Sequence, residues 1–295
     1  MKFLALLGIL FLSVPVLAED LPKTIVGKDG VEMVLIPAGK FIMGSDDRDL
    51  KETAPKHKVY IDSFYMDRYE ITNGQFAKFL NAVRPSEGKL GERWRWVVIR
   101  NDLETDERKN WWPTEIIYED GMYKALEGYE SFPVLSVSWY AADKYCRWVG
   151  ERLPTEAEWE KAARGGLKGK RFPWGNELPT DGIVFDRRWY SNDVPPPTER
   201  VGSYHPNGYG LYDMAGNVWE WCSDWYHPYY YKESPKKNPQ GPPTGSKKVL
   251  RGGSWYNSAY VLRVAFRNYS SPHSKDDGVG FRCVMDINRK DKNDE

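Results

Sequence analysis

Two carboxylates seven residues apart bracket a glycine in the run Asp213-Met214-Ala215-Gly216-Asn217-Val218-Trp219-Glu220. Oxygen donors gathered around a turn are what a hard cation such as Ca²⁺ takes, at roughly 2.3–2.6 Å. Spacing alone favours a solvated turn. Three cysteines, Cys146, Cys222 and Cys283, form an odd set, which in an oxidising compartment implies one disulfide and one free thiol. The four histidines, His57, His205, His227 and His273, have no i, i+4 or facial-triad spacing, so each reads as a surface or hydrogen-bonding residue rather than a ligand. Ser254 follows two glycines, but without a Gly-x-Ser-x-Gly elbow or a paired base its expected role is to hold a turn. Residues 255–277 read WYNSAYVLRVAFRNYSSPHSKDD, rich in Tyr, Ser, Asn, Trp and Arg, the composition of adaptable binding surfaces. Two readings are open for this stretch. In one, Trp255, Tyr256, Asn257, Tyr260, Arg263 and Arg267 form a shallow binding face, rimmed by Trp94, Trp96, Trp111, Trp112 and residues 229–231. In the other, Trp255, Val264 and Phe266 are core and the two arginines are structural ion-pair donors.

The elements that position these residues are legible in part. Thr72 and Gln75 have capping-box spacing ahead of Phe76, Phe79, Leu80 and Val83, which predicts a helix. A second helix is expected from a Ser138 cap to Gly150, and a third from Thr155, with Glu158 completing another capping box, to Gly165-Gly166. Residues 31–44 hold two strand-like runs split by Pro37, Ala38 and Gly39, and Asp120-Gly121 predicts a hairpin turn. Beyond Gly166 the periodicity gives way to short aromatic runs punctuated by Gly, Pro, Asn and Asp.

The whole chain has 295 residues, with 42 basic against 42 acidic side chains. Balanced charge argues against a nucleic-acid partner, which needs a basic stripe. With 41% hydrophobic and 15% aromatic residues there is material for a sizeable core. Lys2, the apolar run 3–12, the break at Ser13-Val14-Pro15 and the small residues up to Ala18 have the order of an export signal over residues 1–18. The run is too short to span a bilayer, and no later stretch is long and apolar enough to do so. The expectation is an exported protein, periplasmic or extracellular, with a leader over 19–30, one domain over 31–287 and a charged tail over 288–295.

Several runs carry a resemblance. They include Phe41-Ile42-Met43-Gly44-Ser45, Tyr69-Glu70-Ile71-Thr72-Asn73, Phe132-Pro133-Val134, Arg152-Leu153-Pro154-Thr155-Glu156-Ala157-Glu158-Trp159-Glu160 and Phe172-Pro173-Trp174-Gly175-Asn176. The run from Pro206 to Trp221, Leu250-Arg251-Gly252-Gly253-Ser254-Trp255 and Gly280-Phe281-Arg282 follow in order. The sequence resembles the formylglycine-generating enzyme (sulfatase-modifying factor) family. That resemblance implies an α+β fold of low regular secondary structure, a variant of the C-type lectin fold, with about three helices on short antiparallel strands and many loops. It implies a structural Ca²⁺ held by the side chains of Asp213 and Glu220 and the carbonyls of Gly216 and Val218, and a disulfide between Cys146 and Cys283. A second family calcium site is not matched: Asn192 aligns with one ligand, but the loop 193–200 lacks the expected Asp-Gly-Phe pattern.

The resemblance also locates a departure. The family's oxidases bind Cu(I) through two cysteines shortly after the Arg-Gly-Gly-Ser run, and here the matching residues are Asn257 and Leu262. Asn is a poor soft-metal ligand and Leu is none, so no copper is expected. Nor does the chain carry the histidine-bearing helical domain that gives the iron-dependent branch its ligands. The first expectation is a binding or accessory member of the family. It would engage a protein, peptide or glycan at the 255–277 face, where the oxidases hold substrate, as a subunit of an extracytoplasmic complex. The alternative is a divergent oxidoreductase of the same superfamily, similar to members associated with siderophore maturation. True formylglycine synthesis ranks last.

Overall fold

A computed structural model describes residues 21–86, 95–102, 114–187 and 198–287. The expected export signal, the charged tail, Asn192 and three of the candidate rim residues, Trp94, Trp111 and Trp112, lie outside the described residues. In chain order the main elements are β1 (Thr24–Val26), β2 (Glu32–Ile36), β3 (Gly39–Met43), β4 (His57–Ile61), β5 (Phe64–Asp67), α1 (Asn73–Val83), β6 (Ile116–Glu119), β7 (Met122–Ala125), α2 (Trp139–Trp148) and α3 (Glu156–Ala163). They are followed by β8 (Trp219–Trp225), β9 (Lys248–Arg251), β10 (Asn268–Ser270), β11 (Val279–Gly280) and β12 (Val284–Asp286).

The local signals act where they were expected. The Thr72 hydroxyl accepts the Gln75 N–H while the Gln75 side chain accepts the Thr72 N–H at 2.7 Å, and the same reciprocal pair links Thr155 and Glu158 at the start of α3. Ser138 caps α2, and Gly150 takes φ +84° just beyond its end, where a side chain would be strained. Asp120 and Gly121 both have positive φ, 53° and 76°, giving the β6–β7 ladder the turn hand that suits strand twist. Two boundaries differ from the sequence reading. Gly39 opens β3 rather than sitting in the preceding turn, and β1 pairs with β2 inside the segment read as a leader.

Two four-stranded sheets, ordered β1-β2-β5-β12 and β10-β9-β8-β11, and the two hairpins β3-β4 and β6-β7 carry the strands. All these pairings are antiparallel except β11 with β8. One core packs α1 and α2 on the second sheet through Phe76, Phe79, Leu80, Tyr145, Trp221 and Phe281. The other packs α3 on the β3-β4 hairpin and on β8 and β9, and one buried cluster joins Trp159, Met43, Val59, Ile61 and Val249 to Val34, Ile36, Phe64 and Met66 of the first sheet. A disulfide between Cys146 on α2 and Cys283 just before β12 lies within the first core, with Cα atoms 5.6 Å apart across a separation of 137 residues. Trp96 is buried within the first core under the Lys144 ammonium, not on a rim.

Candidate functional site

The segment that follows β9 is held from beneath by α3. That helix has eight residues and they are all buried, including Glu156, Glu158 and Glu160. Ionised carboxylates at such depth must be paired, and the partners come from far along the chain. Arg251 Nη2 donates to Glu160 Oε2 at 2.6 Å and to the Val264 carbonyl at 2.7 Å, and Nη1 donates to the Phe266 carbonyl at 2.8 Å. Arg267 grips both oxygens of Glu156 at 2.7 and 2.9 Å. Arg164 takes the other oxygen of Glu160, which also accepts the Gly44 N–H. Burial alone would raise the Glu160 pKa, but Arg164 and Arg251 outweigh it and hold the carboxyl below its ordinary value. The backbone of residues 264–266 is thereby pinned by the Arg251 guanidinium rather than by sheet pairing.

On this support the expected face divides. Trp255 is buried with its indole N–H on the Asp277 carbonyl, and Arg267 is buried in its ion pair, so the core and ion-pair reading holds for both. Tyr256 and Tyr260 remain exposed. The Tyr260 hydroxyl donates to the Asp49 carbonyl at 2.6 Å, and Arg263 pairs with Asp49 at 3.0 Å and Asp47 at 3.5 Å. Arg263, Asp46, Asp47, Ser45 and Arg171 line an adjoining open cleft of about 470 Å³. Of the candidate rim tyrosines, Tyr229 is exposed and Tyr231 is buried.

Asn257 and Leu262 have distinct structural roles. The Asn257 carboxamide oxygen accepts both the Ser254 N–H and the Ser254 hydroxyl at 2.9 Å, closing the turn after the two glycines. Leu262 is 1% exposed and packs with Phe172 and Ala215. Ser254 therefore holds the turn, as expected. Cys222 is a buried free thiol whose pKa is pushed up, first by burial. Among the described residues, the one cluster with metal-ligand spacing, Asp67 with Glu151 and Cys283, contains no histidine.

The loop from Asp213 to Glu220 sits beside a third carboxylate. Glu70, buried at the end of the run after β5, accepts the Asn217 side-chain N–H at 2.6 Å and the Val218 N–H at 3.3 Å. Glu220 receives Arg282 on both oxygens at 2.8 Å and the Trp159 indole N–H at 2.9 Å. Asp213, at φ 57°, accepts the Gly202 N–H through one oxygen. Burial, aided by the neighbouring Glu220, pushes Asp213 up to about 6, and burial together with Asp213 and Glu220 pushes Glu70 well above the carboxylate range. Gly216 takes φ +85°, and a Cβ there would meet the Val184 carbonyl. Asp213 and Glu220 on the turn and Glu70 beside it supply the charge and donor type that a hard cation takes, while the carboxylates that converge to ligand spacing among the described residues lie elsewhere, at Asp67 and Glu151.

Residues 19–287 match the sulfatase-modifying factor enzyme 1-like domain. The chain belongs to the sulfatase-modifying factor family. It is 40% identical over 284 residues to the formylglycine-generating enzyme of Streptomyces coelicolor, covering 86% of this chain and 88% of that one. It is 34% identical over 290 residues to the inactive C-alpha-formylglycine-generating enzyme 2 of Bos taurus, covering 88% and 89%. The structure of PvdO from Pseudomonas aeruginosa superposes with TM-score 0.66 at 25% identity, over 90% of this chain and 98% of that one. Active and inactive relatives thus share one sulfatase-modifying factor scaffold, and membership fixes the fold without fixing the chemistry.

Within this scaffold, sequence reasoning quoted Glu156, Glu160 and Glu70 as parts of motifs and gave them no role. For the first two the sequence gives no signal of burial: the helix reads EAEWEKAA, half of it charged, and its packing on every side is evident only in the fold. For Glu70 no local signal exists, because its partner Asn217 lies 147 residues away.

Proposed function

We propose that the protein is an exported, non-oxidase member of the family. It acts as a binding or accessory subunit for a protein, peptide or glycan at the surface of Tyr256, Tyr260 and Arg263 and the cleft beside it. The observation that carries this reading is the state of residues 257 and 262: the Asn257 carboxamide is committed to the Ser254 turn and the Leu262 side chain to the core. A two-thiolate copper site cannot be assembled from them, and Cys222 is one buried sulfur elsewhere in the fold. Tyr and Arg around a polar cleft suit recognition by stacking and hydrogen bonds. The relative from Bos taurus that is named inactive supports the view that this scaffold persists without the oxidase reaction. The apolar run at residues 3–12 and the Cys146–Cys283 bond support export into an oxidising compartment.

A structural calcium ion held by Asp213, Glu220 and the carbonyls of Gly216 and Val218 is part of the same proposal. Bound there, it would offset the surplus negative charge of the loop and hold the turn beneath residues 254–257.

The test is direct. Purified protein supplied with Cu(I), oxygen and a sulfatase-type cysteine peptide is expected to form no aldehyde, while affinity capture of the native protein returns a stoichiometric partner. Aldehyde formation overturns the proposal. Oxygen consumption with another substrate moves the reading to a divergent oxidoreductase.

A further inference from the structure

Asp67 ends β5 and is completely buried. Its Oδ2 accepts the Cys283 N–H at 2.7 Å, and its Oδ1 has no hydrogen-bond partner. Glu151 lies in the turn after α2, 7% exposed, and neither of its oxygens has a partner. One oxygen of each carboxylate and the Cys283 sulfur all lie within 4.8 Å of one another. Asp29, in the turn between β1 and β2, brings a third carboxylate: its Oδ2 accepts the Tyr145 hydroxyl at 2.7 Å and its Oδ1 the Val31 N–H at 3.1 Å. A Cβ placed on Gly27 would stand 2.8 Å from Glu151 Oε1 and 3.2 Å from Asp29 Oδ1, so both acids converge on the same point of backbone, where there is room for no side chain.

Little offsets this charge. Lys28 is the nearby cation, its Nζ close to Gly150. Arg282 faces the same region but is committed to both oxygens of Glu220. An ionised carboxylate buried without donors is costly, and here two adjacent ones hold three orphan oxygens between them. Burial pushes Glu151 up to about 8, with Asp29 adding to the effect.

We propose that Asp67 and Glu151, with Asp29 beside them, bind a hard divalent cation of calcium's class at a site separate from the 213–220 loop. Two oxygens that share one ion at 2.3–2.6 Å stand no more than roughly 5 Å apart, which is the spacing these carboxylates have. The donor set is all oxygen, because the Cys283 sulfur is bonded to Cys146 and offers no thiolate. That composition selects calcium's class over zinc or copper. The ion would tie three separate pieces of chain, the β1–β2 turn, the end of β5 and the turn after α2, around the disulfide.

The experiment is calorimetric Ca²⁺ titration of the full chain after EDTA treatment, comparing wild type with Glu151→Gln, Asp29→Asn and Asp213→Asn. Glu151→Gln is expected to bind one Ca²⁺ fewer than wild type, or to weaken that site at least tenfold, and Asp29→Asn to weaken it less. Asp213→Asn is expected to leave this site intact, which separates it from the loop site. Without Ca²⁺, Glu151→Gln should melt no lower than wild type, since it relieves an uncompensated charge, and Ca²⁺ should raise the wild-type melting temperature more than that of the variant. Should Glu151→Gln fold poorly, Asp29→Asn alone carries the comparison. Equal stoichiometry and affinity in wild type and both variants would show that protons, not a cation, neutralise the cluster, and would overturn the proposal.

Discussion

Arg251 and Glu160 are both fully buried and are joined by a 2.6 Å bond, and the same guanidinium also holds the carbonyls of Val264, Ala265 and Phe266. One side chain thus fixes the depth of the whole segment that carries Tyr260 and Arg263. Arg251→Met leaves Glu160 with Arg164 and strips the carbonyls of their donor. Breaking a buried pair from one side costs about 3–5 kcal/mol, and urea unfolding should show a loss of that size. Loss of partner capture should accompany it even where the variant remains folded.

Asn257→Ala removes the acceptor of two Ser254 hydrogen bonds. Each is worth about 0.5–1.5 kcal/mol, so thermal unfolding should report a modest destabilisation. The paired change Asn257→Cys with Leu262→Cys restores sulfur at both positions. It should confer Cu(I) binding beyond that of the wild type, measured by competition with a chromogenic chelator. Wild-type binding that survives Cys222→Ser would contradict the account given above.

Asp224 is buried beside Glu156, and burial is the main reason its carboxyl is pushed from 3.8 to about 7. The folded state therefore keeps a proton that the unfolded chain has released. The contribution to stability is complete below the unfolded value and declines as pH rises through the folded one, with a limiting slope of about 1.4 kcal/mol per pH unit. Between about pH 4 and 7, wild type should lose stability relative to Asp224→Asn, and above that window their difference should level off. Denaturant titrations of both proteins across the range, in excess Ca²⁺, provide the check.

Reducing the Cys146–Cys283 bond opens a closure spanning 137 residues. A loop of that size corresponds to about 3–5 kcal/mol of unfolded-state entropy, and a dithiol reductant should lower the melting temperature accordingly. Cys222 is fully buried. Thiol reagent should find no reactive sulfur in the native oxidised protein and one per chain after unfolding without reductant.

Gly216→Ala places a Cβ against the Val184 carbonyl at a φ of +85°. Backbone contact cannot swing aside as a flexible side chain would, so the loop must distort, with a cost of about 1–3 kcal/mol from the strained φ alone. Its melting temperature should fall, and a chelator should lower it less than it lowers that of wild type.

Features encoded within a few residues were legible beforehand. Thr72 with Gln75, Thr155 with Glu158 and Asp120-Gly121 announce their helices and turn because cap and turn chemistry is local. The binding face was legible only in composition. Nothing adjacent to Arg267 reveals that its partner is Glu156, 111 residues earlier, so the sequence leaves open whether it is a face residue or an ion-pair donor. Trp255 is open in the same way, since its indole is covered by chain arriving at residue 277. Asp67 and Glu151 lie outside the motifs read from the sequence and are far apart along the chain, and they meet beside Cys283, where β5 and the turn after α2 come together.

The order β1-β2-β5-β12 puts the last strand among the described residues against one from the first quarter of the chain. A ribosome must release residues 283–286 before β5 gains its second neighbour or Cys146 its bonding partner. Until that moment one edge of β5 stays open on the nascent chain, so a truncation that removes residues 283–295 should take away not only the charged tail but also β12 and the bonding partner of Cys146.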